Sequence, residues 1–462
     1  MKNPVQSAEK GGPLSEGRPT AEIGSAPGRT APSAPSTLAT IDKPLYGGAC
    51  LARIEGRAVF VPLTLPGEQA RIRIKQSKSG YAEAEVEEIV VAAPQRVAPA
   101  CPHFGICGGC HYQHAEYDAQ LEMKKTILRE TLERAGVDAP AEIEVLSAEP
   151  WGYRNRIRLA LDAAGNPGYR ERRSHAVLPI RACPIAAPLL VEAALAFSEL
   201  VRTTATALKA SEIALFTNHA QDSLLLTVFT TSARKHRFEA LMEALRERIP
   251  ALSGAELAVE DRKAGQPRTV ARWGASWLTY RAAGCDYRVD HGAFFQTNRR
   301  LVDTLVERVV AGHRGELAWD LFAGVGLFAR QLTAHFHRVL AVESAPASMQ
   351  ALAANLKGTR GIPVRSLTLD FLRIHNPASR AEFVAPELIV ADPPRTGLGA
   401  ETCALLGEIA APALVYVSCD PATLARDLRQ LLGTGYAIES IALADLFPQT
   451  FHLETVAVLQ RT

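Results

Sequence analysis

Between residues 37 and 97, short runs of Val, Ile and Ala alternate with polar positions and are broken by Gly47-Gly48, Gly56, Pro66-Gly67 and Ser79-Gly80. Runs bounded this way read as strands joined by tight turns, here a small antiparallel barrel. Within it, Arg71-Ile72-Arg73-Ile74-Lys75 has a period of two, which sends three cations to one face and the isoleucines to the core. Such a face suits an OB-like groove that tracks phosphates; an ordinary solvated face fits equally well. Residues 115–136 shift to helical spacing, with Tyr117, Leu121, Ile127 and Leu128 recurring as on an amphipathic helix. Residues 150–290 alternate strand-like and helix-like stretches without a clear nucleotide motif. From 300 to 462, short apolar strands alternate with helical stretches, the pattern of an open, mainly parallel sheet. No internal repeat is present.

The first 36 residues contain six Pro, five Gly, five Ser, five Ala and no aromatic residue. That composition buries too little apolar surface to offset its ordering entropy, so it predicts a disordered tail. Glu9, Glu16 and the scarcity of arginine argue against a targeting peptide, and no apolar run approaches the roughly 18–20 residues of a membrane span. The expectation is a cytoplasmic α/β protein in four segments. They are a tail (1–36), a β-barrel (37–97), a central α+β domain (98–290) and a C-terminal Rossmann-like domain (291–462). The balance of 51 Lys+Arg against 49 Asp+Glu looks neutral, yet residues 301–462 hold 13 against 16 and the preceding 300 hold 38 against 33. The excess of cations therefore precedes the C-terminal domain.

Eight cysteines are too few for a disulfide scaffold at this length, and clustering points to a metal or a nucleophile. Cys101, Cys107 and Cys110 have five and then two residues between them, and Cys183-Pro echoes Cys101-Pro. Four thiolates suit a [4Fe–4S] cluster or a structural zinc. Three close ligands and a distant fourth lean toward iron–sulfur, while His103, His111 and His114 keep zinc open. Cys50, Cys285 and Cys403 stand alone, as packing residues do.

Asp320-Leu-Phe-Ala-Gly-Val-Gly326 has the form of a strand, a glycine turn and a helix. Glu343 ends the next apolar strand, placed for ribose hydroxyls, and Asp370 ends a third strand-like run, placed for an adenine amino group. No P-loop lysine follows the glycines, which argues against a nucleoside triphosphate and leaves NAD and S-adenosylmethionine open. Asp392-Pro-Pro-Arg-Thr-Gly397 and Ser418-Cys419-Asp-Pro421 each follow a buried strand, where open α/β sheets form their ligand crevice. Cys419 is thus a candidate nucleophile. Glu454, at the start of the last strand, is either an exposed residue or a buried base with a raised pKa. Arg395 after Asp-Pro-Pro, together with a thiol, favours methylation of carbon over that of an exocyclic amine.

Taken in order, these motifs resemble the RNA uracil-5-methyltransferases. The resemblance rests on Cys101/Cys107/Cys110 with Cys183, Phe294-Phe-Gln296-Thr-Asn298, Asp320–Gly326, Asp392–Gly397, Ser418–Pro421 and His452-Leu-Glu454, and spans residues 40–462. It implies that residues 37–97 form a TRAM barrel, that Cys419 is the nucleophile and that Glu454 is the base. It implies further that Gln296, Phe322, Glu343, Asp370 and Asp392 line the S-adenosylmethionine or target-base site. Leu327 departs from the Asn found in several members. Barrel and cluster together resemble the members that form 5-methyluridine in 23S ribosomal RNA, with tRNA or another rRNA site as the alternative and a non-catalytic RNA-binding protein as the reading from another class. RNA is the expected partner, with no membrane and no obligate protein partner. Candidate phosphate contacts are Arg71, Arg73, Lys75, Arg154, Arg156, Arg158, Arg170, Arg172 and Arg173.

Overall fold

The structure is a computed structural model that describes residues 36–203, 208–231, 234–259, 267–379 and 382–462. The tail expected over 1–36 lies, apart from Ser36, outside the described residues. Five strands, Thr37–Pro44, Ala49–Ile54, Arg57–Pro62, Gln69–Ser77 and Tyr81–Val91, close into a barrel. Ile41, Val59, Val61, Ala70, Ile72 and Ala84 fill it. The two-residue period of 71–75 holds, with Ile72 fully buried and Arg71 exposed. The adjoining strand Tyr81–Val91 answers each cation with a carboxylate. Arg71 pairs with Glu88 at 3.1 Å, Lys75 with Glu85 at 3.0 Å, and Arg73 with Glu87. This face is a cross-strand ion-pair ladder rather than a bare cationic groove.

A seven-stranded sheet follows, in the order Arg268–Gly274, Leu252–Val259, Leu224–Thr230, Ala210–Thr217, Arg156–Leu161, Pro167–Arg170, Val177–Pro179. Helices Pro188–Thr203 and Lys235–Arg248 cover it with Leu190, Phe197, Phe238 and Leu245, which share one core with Leu159, Leu215, Leu226 and Leu257 of the strands.

The C-terminal sheet has eight strands, in the order Gly361–Arg365, Phe336–Glu343, Gly315–Leu321, Leu388–Ala391, Ala413–Ser418, Glu454–Arg461, Tyr436–Ala444, Glu144–Leu146. The first five are parallel, and Glu454–Arg461 runs antiparallel to both its neighbours. The strands Leu388–Ala391, Ala413–Ser418 and most of Glu454–Arg461 are buried on both faces, which explains their unbroken apolar runs.

Several elements from the 98–290 segment pack with this sheet. Strand Glu144–Leu146 pairs with Tyr436–Ala444, and helix Tyr117–Arg134 buries Ile127, Leu128 and Leu132 in the core that holds Leu424, Leu428 and Leu443. The helical face is visible in the sequence, but its docking partner lies some 300 residues away and leaves no local sign. The hairpin Trp277–Ala282/Cys285–Asp290 likewise joins the core under the parallel strands. Among the described residues, no helix is long and apolar enough to cross a membrane.

Candidate active site

The C-terminal ends of four adjoining parallel strands lie side by side, the place where open α/β sheets bind their ligands. Strand Gly315–Leu321 runs into Phe322-Ala-Gly-Val-Gly326, where Phe322, Gly324 and Gly326 have φ of 63°, 57° and 87°. At φ 87°, Gly326 holds a backbone conformation that side chains rarely adopt, so the turn favours glycine there. Phe322 adopts the same left-handed backbone without being glycine, a strain that concentrates at ligand sites. Glu343 ends the next strand. Its Oε2 accepts the Gly324 N–H at 2.9 Å, and its Oε1 accepts those of Ser344 and Ala345 at 2.6 Å. One carboxylate thus laces the glycine turn to the neighbouring strand end. Asp320 is fully buried and accepts the Ala329 N–H at 2.8 Å; burial raises its carboxyl to about 8, with Asp392 and Glu343 adding.

Asp370 does not end a strand. The strand stops at Arg365, and Asp370 lies in the first turn of helix Thr368–Ile374, exposed and paired with Arg373 at 3.4 Å. The short apolar run before it is the start of a helix that buries Phe371 and Leu372, a case periodicity cannot resolve over so few residues.

Cys419 follows strand Ala413–Ser418, and Asp420 caps the next helix, Pro421–Leu432, by accepting the N–H groups of Ala422 and Thr423 at 3.0 Å. The cap turns the chain at the thiol, leaving Cys419 half-buried. Ser418 pairs directly with Thr455, so Cys419 and Glu454 sit at the same end of adjoining strands. Asp392 follows the strand Leu388–Ala391 on the other side. Gln296 Nε2 donates to Asp392 Oδ2 at 3.2 Å. The loop carrying Gln296 is pinned by Asn155, which donates Nδ2 to the Gln296 carbonyl at 2.8 Å and its N–H to that of Thr297 at 3.0 Å.

Burial pushes the Cys419 thiol up to about 12; Glu454 and Asp392 push the same way and Arg395 opposes them. Burial raises Asp392 to about 7. Burial also lifts Glu454, 4% exposed, well above the usual carboxylate range, with the Asp392 charge adding. Two carboxyls in one apolar pocket resist ionising together and titrate as a pair. A thiol beside such a pair has proton acceptors at hand for covalent addition.

Other residues shape this pocket without a local sequence signal. Buried Asp427 accepts the Leu398 N–H at 2.7 Å and the Tyr416 hydroxyl at 2.9 Å, fixing the turn after Asp392-Pro-Pro. Tyr46, at the tip of a barrel turn, donates its hydroxyl to Asp420 Oδ2 at 3.2 Å. Gly47-Gly48 mark that turn in the sequence, but not where it docks.

The family profile of the tRNA (uracil-5-)-methyltransferases matches residues 116–462, and that of the TRAM domain matches residues 38–86. The chain belongs to the tRNA (uracil-5-)-methyltransferase family. It is an S-adenosylmethionine-dependent RNA uracil-5-methyltransferase. A 23S rRNA (uracil(1939)-C(5))-methyltransferase of Halomonas elongata is 32% identical over 433 residues, covering 90% of this chain and 87% of that one. An uncharacterized RNA methyltransferase of Streptomyces avermitilis is 35% identical over 445 residues, covering 90% and 96%. The crystal structure of the Pyrococcus abyssi tRNA (uracil-54, C5)-methyltransferase in complex with S-adenosyl-L-homocysteine shares the fold. It has a TM-score of 0.71 and 23% identity, over 91% of this chain and all of that one.

For a methyltransferase of this family, the four clustered thiols call for a separate account. Cys101, Cys107, Cys110 and Cys183 line a single small cavity together with Arg154, and the Tyr169 hydroxyl lies 3.8 Å from Cys183 Sγ. Among the described residues, no three His, Cys, Asp or Glu side chains converge to hold one metal ion. Four thiols lining one cavity are a donor set that suits either a structural zinc or a [4Fe–4S] cluster.

Proposed function

We propose that this enzyme methylates carbon-5 of a uridine in 23S ribosomal RNA, at the position equivalent to uracil 1939, through a covalent adduct on Cys419. The observation that carries the reading is the convergence of Cys419, Glu454 and Asp392 at adjoining strand ends beside the glycine turn. The rRNA target is supported by the Halomonas elongata relative, which matches barrel and catalytic domain together. An RNA substrate of this kind puts its work in the cytoplasm.

Carbon-5 of uracil is too weak a nucleophile to attack a sulfonium unaided. The target base leaves the RNA stack and enters the cleft. Cys419 adds through sulfur to carbon-6 while its proton passes by way of the neighbouring carboxyl pair to solvent, leaving Glu454 ionised, and the ring electrons move to carbon-5 and O4. Carbon-5 then takes the methyl group of S-adenosylmethionine, releasing S-adenosylhomocysteine. Glu454 removes the carbon-5 proton, the sulfur–carbon-6 bond breaks, and the thiolate regains its proton. Glu343 meets the ribose hydroxyls and Asp370 the adenine, once its exposed pair with Arg373 opens; Gln296, Phe322 and Asp392 bound the space between cofactor and base.

Cys101, Cys107, Cys110 and Cys183 hold a [4Fe–4S] cluster in this reading, with Arg154 offsetting its negative charge. Bound there, the cluster would tie the loop 101–110 to the segment around Cys183.

The test is transfer of labelled methyl from S-adenosylmethionine to unmodified 23S fragments and to unmodified tRNA, followed by mapping of 5-methyluridine. Product at the 1939-equivalent uridine is expected. Product in tRNA alone overturns the rRNA assignment, and product in neither overturns the enzymatic reading.

A further inference from the structure

RNA methylation needs a surface that carries the strand into the cleft, and most candidate cations are already neutralised. Arg71, Arg73 and Lys75 face carboxylates on the barrel, and Arg158 pairs with Glu212. Exchanging a protein carboxylate for a phosphate returns little, so an unpaired cation in a concave site is the better anchor.

One cleft offers that. About 570 Å³ in volume, it lies between the barrel turn at Gly47 and the loops carrying Gly108 and Arg170–Arg173. Gly47, at φ +104°, has nothing within 4 Å of the place a Cβ would take, so the backbone is open to close approach. Arg170 is held by the His175 carbonyl at 2.6 Å and Glu212 at 3.8 Å, and Arg173 by Glu83 at 3.2 Å. Arg172 is half-buried, and among the described residues its guanidinium has no hydrogen bond or ion pair. Glu171 is the only carboxylate among the lining residues, against three arginines.

A chain of side-chain contacts links the cleft wall to the nucleophile. His111, on its wall, packs against Phe451 with ring centroids 4.6 Å apart. Phe451 meets the edge of Tyr46 at 5.3 Å, and Tyr46, 36% exposed, bonds to Asp420 next to Cys419. A cation in the cleft and an exposed aromatic ring next to Gly47 at its rim are the kinds of group that bind single-stranded nucleic acid.

We propose that this cleft seats the RNA segment flanking the target uridine, with one phosphate on Arg172 and a neighbouring base against Tyr46. The proposal rests on the RNA-methylation reading above. It makes the barrel turn part of the substrate site of the C-terminal domain.

The test uses the full-length enzyme and a 23S fragment that the wild type methylates, with affinity read by fluorescence anisotropy between 50 and 200 mM salt. Arg172→Gln is expected to weaken binding about tenfold and to reduce the salt slope by about one, raising KM at unchanged kcat. Arg172→Lys is expected to keep the slope, and Arg71→Gln to match the wild type. S-adenosylmethionine binding reports that each variant is folded. An unchanged slope in Arg172→Gln, or an equal loss in Arg71→Gln, overturns the proposal. Independently of any variant, wild-type enzyme irradiated with RNA carrying 5-bromouridine beside the target should cross-link at Tyr46. Cross-links confined to the far strands of the seven-stranded sheet, Leu224–Thr230, Leu252–Val259 and Arg268–Gly274, would place the strand elsewhere and overturn it. If the wild type methylates no RNA at all, the parent reading fails instead, which separates the two.

Discussion

Nζ of Lys124 lies 2.5 Å from Oδ1 of Asp445, and both side chains are completely buried. Lys124 comes from helix Tyr117–Arg134, and Asp445 follows the strand Tyr436–Ala444. Lys124 also donates to the Phe447 carbonyl at 3.1 Å, and the Tyr117 hydroxyl donates to Asp445 Oδ2 at 2.9 Å. One turn away, Gln120 Nε2 donates to Gln449 Oε1 at 3.0 Å while Gln120 Oε1 accepts the Gln449 N–H at 3.0 Å, with Gln449 held at φ 68°. The helix thereby fixes the loop that delivers His452 and Glu454 to the active site.

Removing one partner of such a pair leaves the other charged and buried, at a cost of about 3–5 kcal/mol. Lys124→Met is therefore expected to lower the thermal unfolding midpoint markedly. The double variant Lys124→Met/Asp445→Leu should recover much of the loss. Thermal unfolding of the wild type and the two variants side by side checks this; a single variant as stable as wild type would contradict it.

The carboxyl pair sets a pH dependence. Both Asp392, at about 7, and Glu454 are raised, so acid holds the base protonated and kcat/KM should rise with pH through the neutral range. The Asp392 charge helps raise Glu454, so Asp392→Asn should move this limb to lower pH even as it lowers the plateau. A pH–rate profile of wild type and variant reads both effects. A limb that moves upward, or stays in place, would reject the coupling.

Anaerobically purified protein should be brown and carry about four irons per chain, and Cys107→Ser should lose them. Metal analysis together with the visible spectrum decides it. Stoichiometric zinc without iron would reject the cluster.

Much of this site is legible in the sequence because each strand end announces itself. Asp320, Asp392 and Cys419 each follow a short run buried on both faces, and Gly326 occupies a backbone region that side chains rarely adopt. The barrel is legible for a similar reason, since glycines punctuate its alternating strands. Asp370 misleads because a helix start and a strand look alike over the few residues Leu367-Thr368-Leu369 that precede it. Tyr46, Lys124 and Asp427 are silent for a different reason. Their meaning comes from partners at Asp420, Asp445 and Leu398, and long-range docking has no local periodicity. The cations of the barrel strand show the reverse error. Their alternation is real, but the facing row of glutamates that neutralises them becomes visible only once the strands pair.

The central claim is that Cys419 adds to the uracil ring and Glu454 completes the reaction by removing the carbon-5 proton. The most direct measurement is denaturing gel electrophoresis of the enzyme incubated with a 23S fragment and methyl-labelled S-adenosylmethionine. Glu454→Gln should accumulate a covalent, methylated protein–RNA species, while Cys419→Ala should form neither adduct nor product although it still binds RNA. Methylated RNA released by Cys419→Ala, or no trapped species with Glu454→Gln, would contradict the account.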